Sequence, residues 1–267
     1  MGIETVTAMA MAMAMAMAMA MAMAIPMRVK GISPQMKTKN NFVDFHAHII
    51  PGADHGTSKN ETTKKQLEVL SSAGIGKVVA TPHFYPHKML LEDFLARREA
   101  CIEKMREILS EESPLVYPAA EVLLTPRLDE MKGLEKLCIK GTNCLLVEMP
   151  SIDFDTEMSN TLSNIKACGL NPILAHIDRY KPDVVKALFG LGIQCQINVD
   201  SLSCFPKRKK ILKYFSDGDI VAIGTDIHGY DESFVRNYKK ACDILKDKLS
   251  SIMSASEKLL EGAESIN

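Results

Sequence analysis

The stretch FVDFHAHIIPGADHG, residues 42–56, opens on an apolar, aromatic run and closes on turn-forming glycine. Within it His46 and His48 stand two positions apart. Residues i and i+2 of a strand face the same side, so both imidazoles can grip one metal ion at the strand's end. Asp54 and His55 come before Gly56 and put more donors in the same stretch. Alone, such a pair also fits a polar strand end with incidental histidines, and the rest of the chain decides between the two.

From residue 42 onward, short β-branched runs alternate with longer amphipathic segments, the pattern of repeated βα units on a parallel sheet. The expected strands are FVDF (42–45), KVVAT (77–81), VYPA (116–119), CLLVEM (144–149), PILAH (172–176), QCQIN (194–198) and IVAIG (220–224). Helices are expected at about Thr62–Ala73, Leu91–Ser110, Thr156–Cys168, Pro182–Leu191, Lys207–Phe215 and Phe234–Leu249, with a further one from Ser256.

The residues at the C-terminal end of each strand carry the most information. His46 and His48 end the first, His83 the second, Glu121 the third and Glu148 the fourth; then come His176, Asn198, and the pair Asp226 and His228. In βα barrels the functional side chains converge at the C-terminal ends of the strands, and scattered surface histidines show no such phase. Each residue has a plainer reading by itself: Glu121 as a helix cap, His176 as a satisfied core histidine, Asp226 as the end of a turn. Together they form the donor set expected of a polynuclear hydrolytic metal site.

Composition narrows the function class. The 267 residues suffice for one large α/β domain or two small ones, and 32 Lys+Arg against 33 Asp+Glu leave a formal net charge of -1 with no basic surface for nucleic acid. Seven cysteines are scattered without CxxC spacing and read as reduced thiols of an intracellular protein. None has an arginine six positions later, so a cysteine-phosphatase loop is absent. Ala8 to Met23 is a perfect Ala-Met repeat. It lacks the basic start of a secretion signal, since Glu4 is the charge before it. About 20 uncharged residues suffice for a membrane anchor, and Arg28, Lys30, Lys37 and Lys39 after it would then hold the main domain in the cytoplasm. The preferred reading makes residues 1–35 a low-complexity repeat and linker upstream of a later start such as Met27 or Met36, with one domain from 36 to 267. Deleting Met1 to Gln35 is therefore expected to leave fold and activity intact; an inactive or insoluble truncation beside an active full chain contradicts this.

The segments DFHAH, ATPH, AAEV, LLVEMP, LAHIDRY and GTDIH, in this order, resemble the polymerase and histidinol phosphatase (PHP) superfamily. Within it they are most similar to the bacterial manganese-dependent protein-tyrosine phosphatases of capsule and exopolysaccharide biosynthesis, the CpsB/CapC type. HIIPGADHG and AHIDRY match motifs of that branch, and the resemblance runs from about Asn41 to Leu249. It implies a distorted (β/α)7 barrel with up to three divalent ions. By position, His46, His48, Glu121 and Asp226 would hold the first ion. Glu121 would bridge to a second on Glu148 and His176, and the third would sit on His55, His83 and His228. Where this chain has His55 those phosphatases have aspartate, a change that favours zinc or iron over manganese because imidazole is the softer ligand.

The resemblance also implies hydrolysis by a metal-activated hydroxide, with Arg179 gripping the phosphoryl group and Glu121 and Asp226 completing the catalytic set. A second phosphate-binding arginine of the family is missing from HGYDESFVRNYKK, with Arg236 and Lys88 as candidate replacements. The implied partner is a phosphotyrosine protein, the Tyr-rich tail of a bacterial tyrosine kinase, in the cytoplasm and at the membrane only through that partner. Two other readings stay open: a small-molecule phosphomonoesterase of the histidinol-phosphatase kind, and a degenerate metal-binding protein.

Overall fold

The computed structural model describes residues 42–150, 154–215 and 220–267. The repeat and linker at 1–35 lie outside the described residues. All strand pairings among the described residues are parallel. In chain order the strands are β1 (Phe42–His48), β2 (Ile75–Ala80), β3 (His83–Phe84), β4 (Leu115–Pro118), β5 (Glu121–Leu123), β6 (Cys144–Glu148), β7 (Asn171–Leu174), β8 (Gln194–Asn198), β9 (Ile220–Gly224) and β10 (Ile227–His228). The helices are α1 (Asn60–Ser72), α2 (Leu91–Arg106), α3 (Thr156–Ala167), α4 (Pro182–Gly190), α5 (Val199–Ser203), α6 (Phe205–Tyr214), α7 (Ser233–Leu245) and α8 (Asp247–Leu259). Among the described residues, no helix is long and apolar enough to cross a membrane.

Three of the expected strands are each followed, after a break, by a short second strand, and the breaks explain the topology. β2 passes into β3 across Thr81–Pro82, β4 into β5 across Ala119–Ala120, and β9 into β10 across Thr225–Asp226. Pro82 has no N–H for a ladder. The pairing therefore falls into two sheets, β10-β1-β2-β4 and β3-β5-β6-β7-β8-β9. Because β9 and β10 are one strand run, the pairing order returns from β8 through β9 and β10 to β1, as a barrel requires. Each second half begins with or contains a polar residue that the sequence marked, His83, Glu121 and His228, and Asp226 sits in the last break.

β1 is buried on both faces, as strands of parallel sheets are. Val43, Phe45 and Ala47 alternate with Asp44, His46 and His48, and all six are fully buried. The apolar face joins a core with Val78, Val116, Leu146, Ile173 and Ile223, where each fully buried Val, Leu, Ile or Phe contributes roughly 1.5–3 kcal/mol of transfer free energy. The polar face is left to the site.

The helices confirm the expected periodicity with shifted ends. α3 starts at an Asp155 cap whose side chain accepts from the Met158 N–H at 2.9 Å, and α4 starts on Pro182 at its first turn. The single helix expected over Phe234–Leu249 is instead α7 and α8, separated at Lys246, whose φ of 36° leaves the helical region. The short α5 and the 3-10 turns at Leu128–Glu130, Leu134–Leu137 and Ile177–Arg179 carry too little periodicity to be read in advance.

Candidate metal centre

The strand ends bring the expected donors together. His46 Nε2 lies 3.3 Å from Glu121 Oε2 and 3.5 Å from Asp226 Oδ1; His48 Nε2 lies 3.4 and 3.3 Å from the same two oxygens. The two imidazole Nε2 atoms are 3.1 Å apart. The other oxygen of Glu121 meets His176 Nε2 at 2.7 Å, so one carboxylate spans two donor groups. Glu148 reaches both sides of it, 3.8 Å from His83 Nδ1 and 3.8 Å from His176 Nε2. His228 Nε2 faces His83 Nε2 at 3.4 Å. Three sets of ligand atoms thus converge: His46, His48 and Glu121; His83, Glu121 and Glu148; His48, His83 and His228.

Second contacts fix which nitrogen faces inward. Gln196 Oε1 accepts the His176 N–H at 2.8 Å and lies 3.3 Å from His46 Nδ1, while its Nε2 donates to Asn198 Oδ1 at 2.9 Å. An amide oxygen only accepts, so the His46 proton belongs on Nδ1 and Nε2 is free to ligate. Asp54 Oδ2 does the same for His48 through its Nδ1 at 2.7 Å, and also accepts the His83 N–H at 2.9 Å. The Asp226 carbonyl takes His228 Nδ1 at 2.9 Å, and Tyr180 Oη takes His176 Nδ1 at 3.2 Å. Beneath them, buried Asp44 accepts from the Thr225 N–H at 2.8 Å and the Thr225 hydroxyl at 2.5 Å, and burial pushes its carboxyl up to about 6.

Whether these residues suit a metal can be tested on the atoms themselves. Glu121 Oε2 and His83 Nδ1 are fully buried and have no hydrogen-bond partner, though they lie 2.8 Å apart. Buried polar atoms are nearly always satisfied, and two facing atoms of metal-ligand type without a partner fit ligand positions. The electrostatics agree. Burial opposes the charged form of His46, yet the Glu121 and Asp226 carboxylates raise its pKa; His48 is raised well above the usual range against the same penalty by the neighbouring carboxylates of Asp226, Asp54 and Glu121. Burial also opposes ionisation of Glu121, but His46 and the hydrogen bond from His176 hold it well below the carboxylate range. Glu148, buried and beside the Glu121 charge, is pushed up to about 7. The pocket stabilises positive charge, and its nitrogen and oxygen donors fit a borderline or hard divalent ion.

Two backbone features hold this geometry. His176 and Asp226 have φ of 35° and 52°, conformations that cost a non-glycine residue about 1–3 kcal/mol and cluster at functional sites. The Asp226 N–H donates to the His46 carbonyl at 2.8 Å and ties the two ligands together. Gly224 lies so close that an added Cβ would stand 2.6 Å from His46 Cβ and 2.8 Å from Gln196 Nε2. Gly224→Ala is therefore expected to cost about 1–3 kcal/mol of stability and to weaken metal binding by displacing His46. A variant with unchanged melting and metal content contradicts that packing argument.

The other expected site residues separate by position. His55 is exposed and lays its ring on that of His83, with centroids 4.7 Å apart and planes at 7°; the group that includes His83 and His228 is closed by His48 rather than His55. Arg179 is half exposed and bonds through Nη2 to Asp226 Oδ2, which also accepts from Asn198 Nδ2 at 2.9 Å. Lys88 shares a cavity wall with His55 and His83. Arg236 lies on the α7 face that also carries Lys239, Lys240 and Asp243, at a separate groove against Val69 and Ser72 of α1. Helical spacing puts those four side chains on one face of α7, and Lys240 of that face donates to the Ser203 carbonyl at 2.9 Å.

Sequence reasoning misses several contributors: Gln196, Tyr180, Asp44 and Thr225, and it counts Asp54 only as a further donor, not as the partner that orients His48. Their signals are present. Gln196 and Asn198 alternate on one face of a strand that should be apolar throughout, and Asp44 precedes the first histidine by the same two-residue step.

Comparison with known proteins gives one consistent result. Residues 42–262 match the family described as capsular polysaccharide synthesis, CpsB/CapC. The tyrosine-protein phosphatase CpsB of Streptococcus pneumoniae is 29% identical over 228 residues, covering 77% of this chain and 90% of that protein. Its namesake from Streptococcus agalactiae is 23% identical over 244 residues, covering 84% and 97%. Among solved structures, one from work on YwqE of Bacillus subtilis and CpsB of Streptococcus pneumoniae, described as metal-dependent tyrosine phosphatases, shares the fold with a TM-score of 0.68 at 18% identity, covering 83% of this chain and 95% of that one. With the family match spanning nearly every described residue, the chain belongs to the CpsB/CapC family of capsular polysaccharide synthesis.

Proposed function

We propose that the protein is a metal-dependent protein-tyrosine phosphatase acting in the cytoplasm on the phosphorylated tail of a tyrosine kinase of capsule or exopolysaccharide biosynthesis. The observation that carries this reading is the shared Glu121 carboxylate, with His46 and His48 on one oxygen and His176 on the other. Its relatives named tyrosine-protein phosphatase support the reaction class. His46, His48, Glu121 and Asp226 would hold one ion, Glu121, Glu148 and His176 a second, and His83 and His228, with His55 or His48, a third. Manganese is the ion assigned, with zinc or iron as the alternatives that the extra imidazole favours. Bound divalent ions supply Lewis-acid charge and lower the pKa of coordinated water.

The chain's own residues do the rest. A guanidinium has five N–H donors, and Arg179 spends one on Asp226, leaving others to bind phosphoryl oxygens at the mouth. Asp226 in turn fixes Arg179, and Asn198 fixes Asp226. We read Lys88, at the cavity beside His83, as the second cation in place of the missing arginine. A phenol leaving group, with a pKa near 10, departs with less protonation than an alcohol, so phosphotyrosine asks little of a general acid.

Turnover of a phosphotyrosine peptide beside histidinol phosphate, with the metal-loaded full chain, tests the proposal. Preference for the peptide is expected. Preference for histidinol phosphate would establish the small-molecule alternative, and turnover of neither would establish a degenerate metal-binding protein.

A further inference from the structure

Beside the metal centre lies a cavity of about 410 Å³ whose walls include His55, His83, Tyr85, Met89, Phe94 and Lys88. It shares His83 with the ligand sets, so it adjoins the metal centre. One wall is a run of stacked rings. His55 and His83 have centroids 4.7 Å apart with planes at 7°, and His83 and Tyr85 come next at 5.2 Å and 19°. Lys88 Nζ sits 4.5 Å over the Tyr85 ring and, among the described residues, has no ion-pair partner. The floor is apolar, with Phe84 and Phe94 packed at 5.0 Å. Arg97 closes the far side and is tied down by two bonds to the Gly52 carbonyl, at 3.0 and 2.8 Å.

A cavity lined by aromatic rings, with a cation over one of them, suits a planar aromatic ring, which can stack offset on the ring wall and meet the ammonium group. A flexible alkyl chain gains burial there but neither of those contacts. We propose that this cavity is the leaving-group subsite, taking the aryl ring of a phosphate monoester while its phosphoryl group meets the metal centre. The proposal rests on the phosphatase reading and adds the basis of its selectivity: aryl over alkyl esters is decided by Tyr85, Met89 and Lys88, residues outside the ligand set.

Aryl esters are intrinsically more reactive, so the quantity to measure is the change in selectivity rather than selectivity itself. The ratio of kcat/KM for phenyl phosphate to that for n-hexyl phosphate is expected to fall about 10-fold in Tyr85→Leu, to survive in Tyr85→Phe, and to fall again in Met89→Ser, with metal content unchanged. Unchanged ratios in Tyr85→Leu and Met89→Ser overturn the subsite. A binding arm separates this from the phosphatase reading. By calorimetry on the metal-loaded full chain, phenylphosphonate should bind more tightly than methylphosphonate, and Tyr85→Leu should remove that difference. If neither ester is turned over but the phosphonate difference holds, the reaction assignment fails and the subsite stands. If both phosphonates bind alike, the subsite fails whatever the activity.

Discussion

Arg179→Ala is expected to lower kcat/KM for a phosphotyrosine peptide by about 100-fold or more, a few kcal/mol, while leaving metal content unchanged. The reasoning starts from its contacts. Arg179 is 51% exposed and touches the centre through the outer oxygen of Asp226, the oxygen that does not face His46 and His48. Its loss removes no donor from the cluster, and Asn198 still holds Asp226 at 2.9 Å. What disappears is the guanidinium fork, whose bonds strengthen as charge grows on the phosphoryl oxygens. Arg179→Lys is expected to recover only part, because a point charge cannot reproduce the fork. Arg236→Ala serves as the control and should leave turnover unchanged, since Arg236 lines the groove against α1. An equal loss there would give Arg236 the missing arginine's role. If Arg179→Ala instead loses metal or unfolds, Arg179 is a structural partner of Asp226.

Glu121→Gln is expected to abolish activity and to reduce bound metal, with the fold retained. Both oxygens of Glu121 are engaged, 3.3 and 3.4 Å from His46 and His48, 2.8 Å from His83, and 2.7 Å from His176. An amide keeps the shape but loses the charge and turns one acceptor into a donor aimed at imidazole nitrogens. With the central negative charge gone, the geometry set by Gln196 and Asp54 remains but has nothing to organise around. Metal analysis and circular dichroism on the same sample check this. Near-normal turnover in that variant would remove the polynuclear mechanism.

The parallel βα pattern was legible because its strands are short, β-branched and regularly spaced, and because most are followed by a ligand-type residue. That phase survives even where the strands break. The breaks themselves were not legible, since Pro82 announces one but Ala119–Ala120 and Thr225–Asp226 do not. Helix ends drifted by one to a few residues where no cap fixed them, and Lys246 split a continuous apolar pattern by adopting a backbone conformation that its side chain does not advertise. In the site, His46 and His48 end β1, Glu121 opens β5 and His176 follows β7, the positions that the strand pattern marks. His55 lies in a loop instead, its ring flat against His83 and exposed to solvent. The residues missed act through others. Tyr180 orients His176 from four residues along the chain, whereas Gln196 reaches His46 and the His176 N–H from a separate strand, a contact that depends on which strands become neighbours.

The central claim, that hydrolysis depends on ions held by this cluster, is tested most directly by stripping the full chain with a chelator and restoring manganese stepwise. Bound metal and turnover of a phosphotyrosine peptide are then measured together. The account predicts no turnover in the stripped protein and recovery that tracks bound metal. Full turnover by metal-free protein, or none by protein that has regained its metal, would contradict it.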